Sequence, residues 1–334
     1  MFTRKQGPTS RSKRWIPLRL AAMVMALALA PALAQAADWP EKTITLVAPF
    51  TPGGTTDIVA RVVAQQLQTE LGQTVIVDNK AGAGGTLGAA FVARSRPDGY
   101  TLLLSNVGHT AAAALYKNLP YDFEKDMTQI TTVASVPNVL VVNKSLPVAN
   151  VRELLAYLTA HAADVSYGSA GVGTTQHLSA ELLKKQTGVN VVHVPYKGAA
   201  PMMADIIGGR VTFALDSAAS AATQLNGGNL KALAVTSAAR SPFLPTIPTL
   251  AEAGVPGYEM TTWYGLAAPK GLPKPVRDRI YRAVVAAMKT PAMQAALLNM
   301  SADPGGMPPE QFESFVGAET RRWTAIASAF AVAE

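Results

Sequence analysis

The chain has 334 residues, 49% of them hydrophobic and 15% charged, with no cysteine and a formal net charge of +7. Without cysteine it can form neither disulfides, thiolate metal sites nor a cysteine nucleophile. Six of the 29 basic residues (Arg4, Lys5, Arg11, Lys13, Arg14, Arg19) lie near the start, leaving 23 against 22 acids, too scattered to present nucleic acid or an anionic membrane with a basic surface.

Those six precede the apolar run LAAMVMALALAPALA and the small-residue site Ala34-Gln35-Ala36. This pattern predicts a secretory signal peptide over residues 1–36, cut after Ala36. The run is shorter than the roughly 20 residues a spanning helix needs, and no later stretch is long and apolar enough. The 298 residues after Ala36 must rest on a hydrophobic core, and at that length two lobes are expected.

Next come a β-like ITLVAPF, the stretch Pro52-Gly53-Gly54-Thr55-Thr56, and a helical pattern DIVARVVAQQLQTEL with Ile58, Val59, Val62, Val63, Leu67 and Leu71 at helical spacing. Thr55 or Thr56 can cap this helix and Gly72 can end it. TVIVDN, a glycine-rich loop, a helix around GAAFVARS and YTLLLSN complete a first block. A second runs from Val139 to Thr236, with strands NVLVVNK, VSYGSAG, VNVVHVPY, RVTFALDS and LKALAVTS. A proline-rich connection, the strand-like TTWYGLAAP and C-terminal helices follow. The alternation predicts an α/β fold with doubly wound, mostly parallel sheets. The blocks also echo each other: GTTDIVARVVAQQLQTELGQTVIVDNKAG and GTTQHLSAELLKKQTGVNVVHVPYKG both read Gly-Thr-Thr, helix, Gly, valine-rich strand, Lys.

At a helix start the first N–H groups lack intrahelical partners and the dipole leaves about half a positive charge, so a glycine loop there suits an anion. The same glycines also serve turns that need positive φ. PGGTT lacks the lysine of a phosphate-gripping loop, and in KAGAGGTLG Leu87 stands where a dinucleotide fingerprint needs its third glycine. Ser169 in GSAG follows Tyr167-Gly168 and so lacks a nucleophile elbow. His109, His161, His177 and His193 have no metal-ligand spacing. His177 and Glu181 share a helix face, where a capping or solvated pair is the ordinary role. Asp57 suits the helix dipole. Asp216 ends an apolar strand, where open α/β sheets face their ligand, or else caps a loop. Neither catalytic residues nor a metal or cofactor are expected.

The segments PFTPGGTTDIVAR, VDNKAGAGGTLGAAFVARSRPDGYTLL, YGSAGVGTTQHLSAELL, VPYKG and LKALAVTSAARSPFLPTIPTLAEAGVPGYE followed by WYGLAAP resemble, in order, the periplasmic substrate-binding proteins of tripartite tricarboxylate transporters, the Bug or TctC-like proteins. The resemblance spans essentially the whole mature chain. It implies a two-lobed Venus flytrap, residues 37–138 and 260–334 forming lobe 1 and 139–259 lobe 2, with a small carboxylate held between them by backbone amides, hydroxyls and waters. It places Pro52, Gly53, Gly54 and Thr55 at the ligand from lobe 1, and Ser169, Ala170, Gly171, Gly173 and Thr174 from lobe 2. Ser105, Asn106, Tyr196, Lys197, Asp216, Trp263 and Tyr264 match other stretches near the cleft. The implied partners are a small organic acid and transporter membrane subunits, with the protein a periplasmic monomer. A receptor that docks a sensor kinase and an exported hydrolase using Ser169 or His177/Glu181 are the alternatives.

Overall fold

The two β/α blocks share a strand. Our computed structural model describes residues 1–3, 39–242 and 244–327. The apolar leader and the cut after Ala36 lie outside the described residues. The chain divides into units Met1–Glu41 and Lys42–Glu334, and all the secondary structure named below belongs to the second.

Strand β1 (Ile44–Ala48) leads into α1 (Thr55–Leu71), and β2 (Val75–Asn79) returns parallel to β1 with Val75 beside Ile44. Helix α1 buries Val59, Ala60, Val63, Ala64, Leu67 and Leu71, whereas Ile58, expected in that stripe, is 37% exposed. The N-cap is Gly54 rather than a threonine, and its lack of a side chain leaves the first turn without a side-chain cap. Gly72 ends the helix at φ 68, where its N–H donates to the Gln68 carbonyl.

A tight turn at Ala83–Gly85 and α2 (Thr86–Ala93) precede β3 (Thr101–Asn106), which flanks β1 on its other edge. After α3 (Val107–Leu115) comes β4 (Met127–Asn143), 17 residues long. Its first part, to Pro137, pairs antiparallel with β9 (Thr261–Pro269); from Asn138 it pairs with β7 (Phe213–Ser217) and β8 (Leu230–Val235). The sequence marked a strand only from Asn138. The earlier part escapes pattern reading because the polar Gln129, Thr131 and Thr132 are buried in it, with Thr131 Oγ1 donating to the Met307 carbonyl at 2.8 Å.

Around β4 the second half assembles α4 (Val151–Ala160), β5 (Ser166–Ser169), α5 (Thr175–Thr187), β6 (Val192–Pro195), α6 (Ala199–Ile207), β7, α7 (Ala218–Asn226) and β8. One half of the sheet runs β2-β1-β3-β9-β4 and the other β4-β7-β5-β6, with β8 and the short β10 (Asp303–Pro304) also on β4. The pairs of β1 with β2 and β3, and of β5 with β6 and β7, are parallel, as the alternation predicts. Every pair made by β4 or β9, the strands at the seam between the halves, is antiparallel, so the sheet is mixed rather than mostly parallel. The chain then returns to the first half: α8 (Lys274–Ala287) packs on α1, α9 (Pro291–Asn299) follows, and α10 (Pro309–Ala327) packs on α3 and β4. Among the described residues no helix is long and apolar enough to cross a membrane.

Candidate ligand-binding cleft

The echoed Gly-Thr-Thr stretches open α1 and α5, each between two parallel strands, and the two helix starts meet across a cleft. The first loop is braced from within. Asp57, buried in the first turn of α1, accepts from the Gly53 N–H, the Asn79 amide and the Arg61 guanidinium, each at 3.0 Å. Burial alone would raise the Asp57 carboxyl, but those hydrogen bonds hold it below the usual carboxylate range. Gly53 sits at φ 86, a conformation glycine adopts freely, and its amide is already committed to Asp57. The amides beyond it, in the uncapped first turn of α1, are the ones left for a ligand.

The second loop is braced by imidazoles. The fully buried Ser169 hydroxyl accepts from the Gly171 N–H at 3.1 Å, donates to the Gly171 carbonyl and lies 2.7 Å from His193 Nε2. That is nucleophile-to-base spacing, yet the hydroxyl is spent on its own loop and shielded from the cleft. His177 Nδ1 accepts from the Gly173 N–H at 3.2 Å, and its ring stacks on His193 with centroids 4.3 Å apart. Burial lowers both imidazoles, His177 to about 4 and His193 to about 3, so they stay neutral. Glu181 takes the Tyr167 hydroxyl and the Lys184 ammonium.

Between the loops lies a chamber of about 50 Å³. Helix starts wall it on five sides: Gly54 to Thr56 of α1, the cap Asn106 of α3, Thr174 to Gln176 of α5, Gly198 and Ala199 of α6, and the cap Ser217 of α7. Tyr264 from β9 completes it, its phenol held protonated by burial. Among the described residues no lysine or arginine lines it. Thr55 Oγ1 and Ser217 Oγ, from opposite halves, meet at 2.6 Å. A larger cavity of about 590 Å³ adjoins, sharing Phe50, Thr51, Ala170 and Gly198 as walls.

Of the residues expected at the ligand, Gly54, Thr55, Asn106, Ala170, Thr174 and Tyr264 line the chamber, and Ala170, Gly171, Tyr196 and Lys197 line the larger cavity. Others lie elsewhere. Pro52 and Gly53 are on the exposed outer side of their loop, and Ser105 is spent across the β3–β9 seam on the Gly265 carbonyl. Ser169 and Gly173 hold the second loop from behind. Asp216 stands behind the chamber, where Gln176 donates to it at 3.1 Å and burial pushes its carboxyl up. Trp263 points to the opposite face of β9 from Tyr264, donates to Glu319 at 3.3 Å and packs edge-on against Phe312 and Phe315. Sequence reasoning missed Thr56, Gln176, Gly198 and Ser217 as chamber walls. The signal for the last two was a small residue directly before a helix that follows a strand: Ser217 ends β7, and Gly198 lies three residues beyond β6.

The sequence profile described as tripartite tricarboxylate transporter family receptor, TctC, matches residues 59–332. The chain belongs to this family. Among solved structures this TctC receptor is similar to an R. palustris protein with adipate, at 41% identity and TM-score 0.83 over 87% of this chain and 97% of that one. It is similar also to the periplasmic binding protein BugD, at 38% identity and TM-score 0.81 over 86% and 97%. MatC from Rhodopseudomonas palustris with bound malate matches at 33% identity and TM-score 0.80 over 86% and 100%. These are two-lobed periplasmic binding proteins, and the TctC receptor shares their fold.

Proposed function

We propose that this TctC receptor is an extracytoplasmic solute receptor that grips a small organic acid by its carboxylate and passes it to the membrane subunits of a tripartite tricarboxylate-type transporter. The carrying observation is the chamber where five helix starts converge with no cationic side chain. The starts of α1, α5 and α6 have no side-chain cap, so their first N–H groups, with about half a positive charge at each helix start, can together replace the hydration of a carboxylate. The two relatives solved with adipate and with malate support the same class of ligand.

On this reading residues 37–138 with 260–334, and 139–259, move as lobes about the seam at β4 and β9. Gly54, Thr55, Asn106, Ala170, Thr174 and Tyr264 meet the carboxylate, Gly171, Tyr196 and Lys197 meet the rest of the ligand, and Pro52, Gly53, Ser105, Ser169, Gly173, Asp216 and Trp263 serve as framework. Export rests on the pattern of residues 1–36, and N-terminal sequencing of periplasmic protein should start at Ala37.

Calorimetry and thermal shifts against a panel of organic acids and their primary amides test the grip. An acid at 100 times its dissociation constant should add about 2.7 kcal/mol of stability. Its amide, lacking the charge, should bind at least about tenfold more weakly. Equal binding of acid and amide rejects the carboxylate grip.

A further inference from the structure

The larger cavity is a different chemical environment from the chamber it adjoins. Phe50, Leu115, Tyr116, Val172 and Tyr196 dominate its walls, and the turn at Ala81–Gly85 closes one side. Its phenols are committed elsewhere: Tyr116 donates to the Val172 carbonyl at 3.1 Å, and Tyr196 to Asp205 at 2.6 Å, so what they offer a ligand is ring surface. The turn is held close: a Cβ on Gly84 would stand 2.4 Å from the Val172 carbonyl, so this wall joins the two halves tightly. Among the described residues the lining cation is Lys197, which is exposed.

Resting on the carboxylate grip proposed above, we infer that the ligand is an acid with a substantial apolar body, a medium-chain or aryl-substituted alkanoate, whose head sits in the small chamber and whose body fills the larger cavity. About 590 Å³ lies within the range that buries most of a drug-sized molecule. A short hydroxylated di- or tricarboxylate would leave most of this volume to water. An apolar body buries its surface there instead, each methylene strengthening binding about fourfold.

Calorimetric titration of the intact mature protein with butyrate, hexanoate, octanoate, 3-phenylpropanoate, malate and citrate tests this. Affinity should climb with chain length, octanoate binding at least about thirtyfold more tightly than butyrate, and octanoate and phenylpropanoate should exceed malate and citrate. A flat series, or malate or citrate binding as tightly as octanoate, overturns the apolar-body inference while leaving the carboxylate grip intact. Failure of every acid overturns the grip itself. Val172→Asp, which brings a charge into the cavity wall, should flatten the chain-length dependence. Ala81→Asp, at an exposed position elsewhere in the lining, makes the same test should Val172→Asp fold poorly by circular dichroism. An undiminished dependence in a folded variant overturns the assignment.

Discussion

Asp57 organises the first loop. Replacing it with Ala removes the three hydrogen bonds, from the Gly53 amide, the Asn79 amide and the Arg61 guanidinium, that tie the loop to this buried carboxylate, each worth about 0.5–1.5 kcal/mol. Asp57→Ala should therefore lose about 2–3 kcal/mol in denaturant unfolding, and ligand affinity with it. A change below about 0.5 kcal/mol would show that the loop holds itself. Because the Asp57 carboxyl is held below its ordinary value, its contribution is present above about pH 4 and fades as pH falls through its folded-state value. Lys197 offers the contrast. It is exposed at the rim of the larger cavity, where solvent screens it, so Lys197→Ala should weaken binding by less than about tenfold. Complete loss of binding in calorimetry would make that ammonium the anchor instead of the helix starts.

Two helices that wall the chamber begin in the same way. In α3, His109 Nδ1 accepts from the Asn106 N–H at 3.1 Å; in α5, His177 Nδ1 accepts from the Gly173 N–H. An imidazole can accept there only while neutral, and burial lowers each to about 4. The unfolded chain takes up these protons near pH 6.5, the folded protein only near 4, so stability is complete above about 6.5 and declines as pH falls toward 4, by up to about 1.4 kcal/mol per unit for each histidine. Unfolding measured between pH 7.5 and 4.5 should show this decline, with a shallower slope in His177→Asn. A flat profile would remove the neutral imidazoles from the account. Asn138 anchors the middle of the seam strand. Fully buried, it donates to Ser179 Oγ at 2.9 Å and lies 3.4 Å from the Thr262 hydroxyl, while its own N–H donates to Thr236 Oγ1 at 2.8 Å. Asn138→Ala should destabilise by about 1–3 kcal/mol; an unchanged unfolding midpoint would mean that water takes over those partners.

Across the whole molecule, the two halves of the sheet touch at the chamber through the Thr55–Ser217 contact and at the larger cavity through the Tyr116 hydroxyl on the Val172 carbonyl. Neither half alone surrounds a carboxylate, because each supplies only some of the helix starts, so removing the anion from water requires both. Small-angle scattering should show a more compact protein at saturating ligand than without it. Thr55→Val, which deletes one bridging hydroxyl, should shift that equilibrium toward the open form and weaken binding by about tenfold, while thermal unfolding without ligand changes little. Identical scattering curves with and without ligand, in a protein shown to be open when empty, would reject closure.

The β/α alternation, the two glycine loops at helix starts and the family were all legible along the chain, because each depends on neighbours a few residues apart: hydrophobic period, cap chemistry, and a strand running into Gly-Gly-Thr or Ala-Gly-Val-Gly-Thr. The 17-residue β4 was not, since its buried Thr131 and Thr132 are satisfied by the backbone at Met307, more than a hundred positions away. Nor was the choice between Trp263 and Tyr264: adjacent strand residues face opposite sides, and only the packing of α10 on one side decides which is the core. The same holds for Gly53, whose amide is taken by Asp57 four residues on, and for Gly198 and Ser217, brought to the chamber by folding of the second half. Sequence determined that helix starts would offer bare amides, because that follows from local backbone geometry. Which of those starts converge on one chamber was decided by the tertiary structure, because convergence depends on how strands far apart in the chain pair and which faces of their helices are buried.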